Sequence, residues 1–177
     1  EGSTVIIEKD DYRLEMGIQG RKGIESTGRY LEKGESGNLP SGEAYIAPVE
    51  GSAYGEILVD GSIVGIGRLK SPILLKIEKG LLKEALGEGA EEWLKILGSS
   101  EAARNVAEFG IGTNSNAMLS GNILEDEKIL GTIHVAFGSN DTFGGKVRAG
   151  IHLDAVVLSP TVYVDGKLIL DKGKLVI

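Results

Sequence analysis

A chain of 177 residues, 41% hydrophobic and 25% charged, is long enough to bury one sizeable core, since single domains run to ~100–200 residues. Its 19 basic and 26 acidic side chains leave a formal charge of −7 with no Lys/Arg block, which excludes the electrostatic footprint of a nucleic-acid or anionic-lipid binder. Cysteine is absent, so disulfides, thiolate ligands and a cysteine nucleophile are excluded together, and any metal must take nitrogen and oxygen ligands.

The chain opens in β-structure: Thr4 to Lys9 and Tyr12 to Gln19 are strand-like runs joined by Asp10-Asp11, a hairpin pattern. Arg21 to Gly37 has no period and reads as a loop ending in the turn cluster Gly37-Asn38-Leu39-Pro40-Ser41-Gly42. Strands follow at Glu43–Ala47, Gly55–Val59 and Ser62–Leu69, with Asp60-Gly61 as a two-residue hairpin signal, and another at Ile73–Glu78. Gly80 to Leu97 reads as helical, because Leu82, Leu86, Ala90, Trp93, Leu94 and Leu97 recur at spacings of three and four. Gly87 and Gly89 split that stretch into two short helices, and Ser99 or Ser100 caps a further one through Arg104.

Val106–Gly112 reads as a strand, Leu124–Ile129 as a helical turn, and Gly131–Phe137 and Gly150–Leu158 as strands. Thr161–Val164 and Lys167–Leu170 form a hairpin around Asp165-Gly166, and a turn at Lys172-Gly173 leads to Leu175–Ile177. With 27 glycines, no internal repeat and no linker, residues 1–177 read as one β-rich α+β domain. Its sheet is mixed or antiparallel, and the pattern admits a closed or partly closed barrel with a few short helices. No apolar run approaches the ~20 residues of a membrane span, and the start EGSTVIIEKDD has no signal-peptide pattern; a cytoplasmic protein is expected. Beginning at Glu1 rather than Met, the chain reads as a fragment lacking an N-terminal domain. One Gln and no Cys beside abundant Glu, Lys and Ile suggest a thermophilic source.

Only two histidines are present, both in strand-patterned segments. In Ile151-His152-Leu153-Asp154-Ala155 the strand period of two sends His152 and Asp154 to one face. An imidazole and a carboxylate side by side form a chelating pair for a first-row divalent ion. The same pair also reads as a histidine simply oriented by a carboxylate. His134, between Ile133 and Val135, needs a polar partner if buried. Glu43, opening the strand after the turn cluster, and Glu108, between Ala107 and Phe109, are carboxylates in similar surroundings.

Four segments in this order, Gly42-Glu43-Ala44-Tyr45-Ile46-Ala47-Pro48, Val106-Ala107-Glu108-Phe109-Gly110-Ile111-Gly112, Asn122-Ile123-Leu124-Glu125-Asp126-Glu127 ahead of His134, and His152-Leu153-Asp154, resemble motifs of the thermophilic leucyl aminopeptidases of the aminopeptidase T family. The resemblance runs from about Asn38 to the C-terminus and implies the C-terminal catalytic portion of a metal-dependent exopeptidase. Position by position it implies that Glu43, Glu108, His134, His152 and Asp154 bind two divalent ions (zinc, cobalt or manganese). Glu43 or Glu108 would act as catalytic base, and a metal-activated water would hydrolyse N-terminal peptide bonds. It also implies peptide substrates, a missing N-terminal domain and a homodimer. This sequence departs from the family in carrying Asp141 where members have a tyrosine, seven residues after His134. The separation of the two histidines, 18 residues, is also shorter than in typical members.

A second reading keeps the metal and changes the reaction. The dihydroxypyridine ring-cleaving dioxygenases resemble distant relatives of these peptidases and use a mononuclear iron, and His134, His152 and Asp154 make a 2-His-1-carboxylate set that leaves iron positions open for oxygen and substrate. A third reading is a non-catalytic β-rich oligomerisation domain with a vestigial site.

Overall fold

The computed structural model describes residues 2–176. In chain order the elements are β1 (Thr4–Lys9), β2 (Tyr12–Gly17), β3 (Ile24–Ser26), β4 (Glu43–Ile46), β5 (Tyr54–Val59), β6 (Ser62–Ile63), β7 (Gly67–Arg68), β8 (Ile73–Glu78), β9 (Leu81–Leu86), α1 (Ala90–Leu97), α2 (Glu101–Arg104), β10 (Val106–Gly112), α3 (Ile123–Asp126), β11 (Ile133–Gly138), β12 (His152–Val157), β13 (Thr161–Val164), β14 (Lys167–Asp171) and β15 (Lys174–Leu175). The strands form two antiparallel sheets, ordered β15-β14-β13-β1-β2-β5-β8-β9 and β3-β4-β10-β11-β12-β6-β7. Among the described residues neither sheet closes into a barrel, so that expectation gives way to two open sheets and three short helices within the expected β-rich α+β class.

Alternation builds the core between the sheets. Val5, Ile7, Leu14, Met16, Ile57, Val59, Leu75 and Ile77 from the first sheet join Phe109, Ile133, Val135, Phe137, Leu153, Ala155 and Val157 from the second in one hydrophobic cluster. Helix α1 is amphipathic and sinks Ala90, Trp93 and Leu97 into that cluster, with Trp93 meeting Phe137 edge to face at 5.7 Å. Ser100 caps α2, its hydroxyl accepting from Ala103 N–H at 3.1 Å, as the sequence suggests. The β1–β2 and β13–β14 hairpins form as expected.

Four expectations are corrected. Leu81 to Leu86 is a strand and not the start of a helix. It pairs with β8 across Lys79-Gly80, both at positive φ, and a bulge at Lys83 resets the alternation. The bulge puts Leu82 and Ala85 on one buried face at a spacing of three, which imitates a helical stripe. Ser62 to Leu69 is two short strands parted by a turn at Gly65, where φ is +91°. Asp60-Gly61 closes no hairpin, because β5 lies in one sheet and β6 in the other. Asp60 instead holds the crossover, bonding Lys9 at 2.8 Å and the Leu158 N–H at 2.8 Å. The segment expected as loop from Arg21 contains β3, and of the last expected strand, Ile177 lies outside the described residues. No described helix is long and apolar enough to cross a membrane.

Candidate metal centre

Strands β4, β10, β11 and β12 are consecutive in the second sheet, and their faces turned away from the core carry every candidate residue found in the sequence. The register places Glu108, Ala136 and Asp154 in one row across β10, β11 and β12, and Tyr45, Gly110 and His134 in the next across β4, β10 and β11. His152 stands opposite Gly138, and Glu43 opposite Gly112. Small residues therefore alternate with the large polar ones, leaving room for the long side chains to converge. A bulge between Val106 and Glu108 makes this possible: two residues oppose Phe137 there, so Val106 stays in the core while Glu108 turns outward. Gly110 is the seat of the His134 ring, since a Cβ at that position would lie 2.1 Å from both Cε1 and Nε2 of the imidazole.

The contacts are close. His134 Nε2 lies 3.1 Å from Glu108 Oε1 and 3.6 Å from Glu43 Oε2. His152 Nε2 lies 3.3 Å from Glu108 Oε2 and 3.5 Å from Asp154 Oδ1. The Glu108 carboxylate thus joins the two imidazoles. The ring of His152 is oriented from behind: its Nδ1 sits 2.8 Å from the Ser139 carbonyl. A carbonyl can only accept, so Nδ1 carries the proton and donates, and in the neutral ring Nε2 is left as a lone pair facing two carboxylates. Three acceptors aimed at one another require a cation between them, either a proton or a metal ion. This donor set of imidazole nitrogen and carboxylate oxygen, with the ring fixed by an outer hydrogen bond, fits a divalent metal. In His134 it is Nε2 that faces Glu108 and Glu43, while Nδ1 is buried with no hydrogen-bond partner.

The titration behaviour follows from the same geometry. Burial opposes ionisation of Glu108, but the hydrogen bonds from His134 and His152 outweigh it and hold the carboxyl at about 2. Burial alone would depress both imidazoles. The bond to Glu108, with the charges of Glu127 and Asp154, instead lifts His134 to about 9, and the bonds to Asp154 and Glu108 lift His152 to about 11. Glu127 moves opposite to Glu108, pushed up to about 7 by burial and then by the charge of Asp154. The elevated histidines express the pull of these carboxylates for a cation.

The structure brings all five expected ligands together, and the sequence reading missed two of their neighbours. Glu127 and Lys128 follow α3, and both are buried. The Lys128 ammonium lies 2.9 Å from Glu43 Oε1 and bonds Glu127 Oε1. The signals were the charged run Glu125-Asp126-Glu127-Lys128 ahead of an apolar segment and, for Glu127, its place at the end of the resembled segment 122–127. Asp126, also fully buried, does different work: it accepts from Ser120 N–H and Gly121 N–H and so fixes the turn before α3. Among the described residues three groups place ligand atoms within 4.8 Å of one another: Glu43, Glu108 and His134; Glu108, His152 and Asp154; and Glu127, His134 and Asp154. The set His134, His152 and Asp154 is not one of them. Each histidine belongs to different groups, linked by Glu108 and Asp154.

Above the cluster opens a cleft of about 410 Å³ lined by Glu43, Tyr45, Glu108, Glu127, Phe143, His152 and Asp154, with Val64, Ile123 and Leu124 as apolar wall. Phe143 meets Tyr45 edge to face at 5.7 Å and His152 at 5.8 Å. It is carried on the short connection between β11 and β12, which buried Asn140 and Glu50 pin: Asn140 donates to Glu50 Oε1 at 3.2 Å, and the same oxygen accepts from Lys146 N–H at 2.8 Å. Asp141, at the position where the resembled family has a tyrosine, pairs with exposed Arg148 at 2.8 Å and does not line the cleft. The aromatic ring beside the cluster comes instead from Phe143, two residues further on.

A family model described as NicX, 2,5-dihydroxypyridine 5,6-dioxygenase, matches residues 12–177. Among solved structures, a 2,5-dihydroxypyridine dioxygenase from Pseudomonas putida KT2440 is similar with a TM-score of 0.90 and 21% identity, over 99% of this chain and 55% of that one. Wild-type AmpT from Thermus thermophilus is similar with a TM-score of 0.79 and 20% identity, over 99% of this chain and 50% of that one. No curated protein matches the sequence. At these identities the structural likenesses are of fold, and the chain spans about half the length of both solved structures. The family match overturns the aminopeptidase reading, and with it the hydrolase and protease assignments: the matched family is one of oxidoreductases, and the peptidase is a distant relative in fold. The physical reason is that a set of carboxylates and imidazoles on a shared scaffold specifies a metal site without specifying the reaction.

Proposed function

Since the chain belongs to the family described as NicX, 2,5-dihydroxypyridine 5,6-dioxygenase, we propose that it is the site-bearing part of a metal-dependent dioxygenase that opens a dihydroxylated, pyridine-like ring. The observation that carries the proposal is the Glu108 carboxylate joined to both imidazoles, beside Asp154, at the floor of a cleft walled by Tyr45 and Phe143. The residues that would hold the metal are drawn from Glu43, Glu108, His134, His152 and Asp154, and iron suits the nitrogen and oxygen donors. A bound iron supplies the one-electron chemistry by which dioxygen reacts with an electron-rich ring.

The chain's own residues then have distinct tasks. Ser139, through its carbonyl, keeps the His152 Nε2 lone pair aimed into the cleft. Glu108, ionised across the whole working pH range, anchors both imidazoles. Tyr45 and Phe143 present ring edges and faces suited to stacking a flat aromatic substrate, and Val64, Ile123 and Leu124 keep that side of the cleft dry. Glu127 lines the same cleft as a buried carboxylate within reach of Asp154, and a carboxylate in hydrogen-bond reach of a substrate can serve as general base. It is placed to take the hydroxyl proton of a bound ring.

The test is anaerobic loading of the purified chain with ferrous iron, followed by oxygen-electrode and ultraviolet measurements with 2,5-dihydroxypyridine. Oxygen uptake matched by loss of the ring absorbance is expected. Iron retained with no oxygen uptake on any dihydroxypyridine would refute the proposal.

A further inference from the structure

Two charged side chains outside the cleft grip the connection that carries Phe143. Glu50 sits in the turn after β4, which Val49 fixes to the end of β2 by donating its N–H to the Gly17 carbonyl at 2.8 Å. Arg21 sits in the turn after β2, its own N–H donating to the Ile18 carbonyl at 3.0 Å. The two side chains pair with each other, and the Arg21 guanidinium also donates to the carbonyl of Gly144, next to Phe143. Glu50 Oε1 meanwhile accepts from Asn140 Nδ2 and from Lys146 N–H. Neither Arg21 nor Glu50 lines the cleft above the cluster.

We propose that Arg21 and Glu50 are positioning residues that hold the Phe143 ring at the cleft, so that they govern substrate binding without governing the metal site. The inference rests on the reading of the cleft as the seat of a flat aromatic ring and deepens it.

The connection between β11 and β12 divides into a base and a tip with separate supports. At the base, Ser139 N–H donates to the Ile151 carbonyl at 2.8 Å, and Ser139 Oγ accepts from Ala149 N–H at 2.8 Å and Gly150 N–H at 3.1 Å. These bonds continue the β11–β12 pairing and fix the Ser139 carbonyl that orients His152. At the tip, the chain folds around Asn140: its carbonyl accepts from Phe143 N–H at 3.3 Å and Gly145 N–H at 2.9 Å, and its Oδ1 accepts from Val147 N–H at 2.9 Å. Gly145 lets this turn close, since a Cβ there would lie 1.9 Å from Asn140 Cγ. Such bonds shape the tip but tie it to nothing else. Among the described residues, the polar ties from the tip to the rest of the molecule are those from Arg21 and Glu50.

That division decides what the pair controls. The Arg21 and Glu50 side chains are only 11% and 25% exposed, and the planar guanidinium fork can bond a carboxylate and a carbonyl in one fixed geometry. Glu50 follows Tyr45 on the same run of chain, so both rings of the aromatic wall are set from β4, Tyr45 directly and Phe143 through Glu50. Without the pair, Phe143 is left beside Gly144-Gly145, where the backbone has the freedom of two glycines. The Ser139 carbonyl stays anchored by the sheet, and with it His152.

The experiment follows the His152 ring protons by NMR at one fixed pH in the purified chain without added metal. Phe143 meets His152 edge to face at 5.8 Å, so its ring current displaces those signals, and Phe143→Ala defines their position with no ring present. Glu50→Ala is expected to move them most of the way to that position and to cause no further movement in the Phe143→Ala background. Arg21→Met, which leaves Asn140 and Lys146 their acceptor, is expected to move them in the same direction. On the Co²⁺-loaded chain, Glu50→Ala is expected to weaken binding of 2,5-dihydroxypyridine by roughly two- to tenfold, the scale of an aromatic contact, with Co²⁺ affinity within about twofold of wild type. Wild-type His152 signals in a folded Glu50→Ala, or in Arg21→Met where Glu50→Ala does not fold, overturn the proposal. So does a loss of Co²⁺ affinity as large as the loss of ring binding. A wild-type chain that binds no dihydroxypyridine refutes the proposed function instead, and the His152 signals, read without substrate or metal, still decide the role of Arg21 and Glu50.

Discussion

Replacing Gly110 by alanine tests whether the His134 ring is seated on the β10 backbone. The added Cβ would stand 2.1 Å from ring atoms Cε1 and Nε2, and carbon contacts settle near ~3.5 Å. The imidazole, fully buried, would therefore have to retreat by about 1.4 Å, stretching its 3.1 Å bond to Glu108 beyond hydrogen-bond range. Overpacking of this kind costs ~1–3 kcal/mol, and loss of a hydrogen bond to a charged group ~1.5–3 kcal/mol. Against this stands the ~0.5–1 kcal/mol that alanine gains over glycine in a strand. The steric term wins, and the variant should lose about 2–5 kcal/mol in urea unfolding of the metal-free protein, a large share of the ~5–15 kcal/mol of a typical domain. Gly23→Ala is the control, because nothing lies within 4 Å of a Cβ at that position, and it should stay within about 0.5 kcal/mol. A Gly110→Ala protein within about 1 kcal/mol of wild type, with unchanged metal affinity, would show that the ring does not rest where the register puts it.

Other predictions follow from the same contacts. Glu108→Gln removes the charge that joins the imidazoles, so the His134 titration followed by NMR should drop from about 9 toward its ordinary value, the His152 titration should fall only part of the way from about 11 because Asp154 still holds its proton, and metal affinity should fall by at least ~10–100-fold. Unchanged histidine titrations would sink the account of Glu108. The pH dependence has a definite sign. The raised histidines contribute stability to the metal-free protein that is fully present below ~6.5 and lost as pH rises through about 9 and then about 11. Because an imidazole must shed that proton to ligate, metal binding at pH 7 should release protons and tighten with rising pH, which calorimetry in two buffers of different ionisation enthalpy would detect. Phe143→Ala should weaken binding of a dihydroxypyridine to the metal-loaded chain by roughly tenfold, the ~0.5–1.5 kcal/mol of an aromatic contact, while leaving the cobalt spectrum unaltered. A changed spectrum would mean that Phe143 props His152 rather than the substrate.

How much of this was legible beforehand varied with the kind of signal. The strands at Thr4–Lys9, Val106–Gly112 and Thr161–Val164 carry alternation or turn chemistry within a few residues and were read directly. The stretch Leu81–Leu86 was misread because a bulge at Lys83 changes the period from within, and no single-chain pattern separates that from a helical stripe. Asp60-Gly61 has hairpin chemistry, yet its acidic side chain is claimed by Lys9 and the Leu158 amide, both far away in sequence.

The sequence by itself determined the inventory of the site: two histidines, no cysteine, and the same-face pairing of His152 with Asp154, because strand geometry fixes side-chain direction over two residues. Only the tertiary structure decided how those parts are shared. The pairing of β10 with β11 and of β11 with β12 puts Glu108 between two imidazoles, the register sets His134 over a glycine, and the turn after α3 drives Lys128 into the carboxylates. Those contacts join residues up to 85 positions apart, as between Glu43 and Lys128. Such distances are closed by sheet register and burial, which belong to the whole chain and to no segment of it.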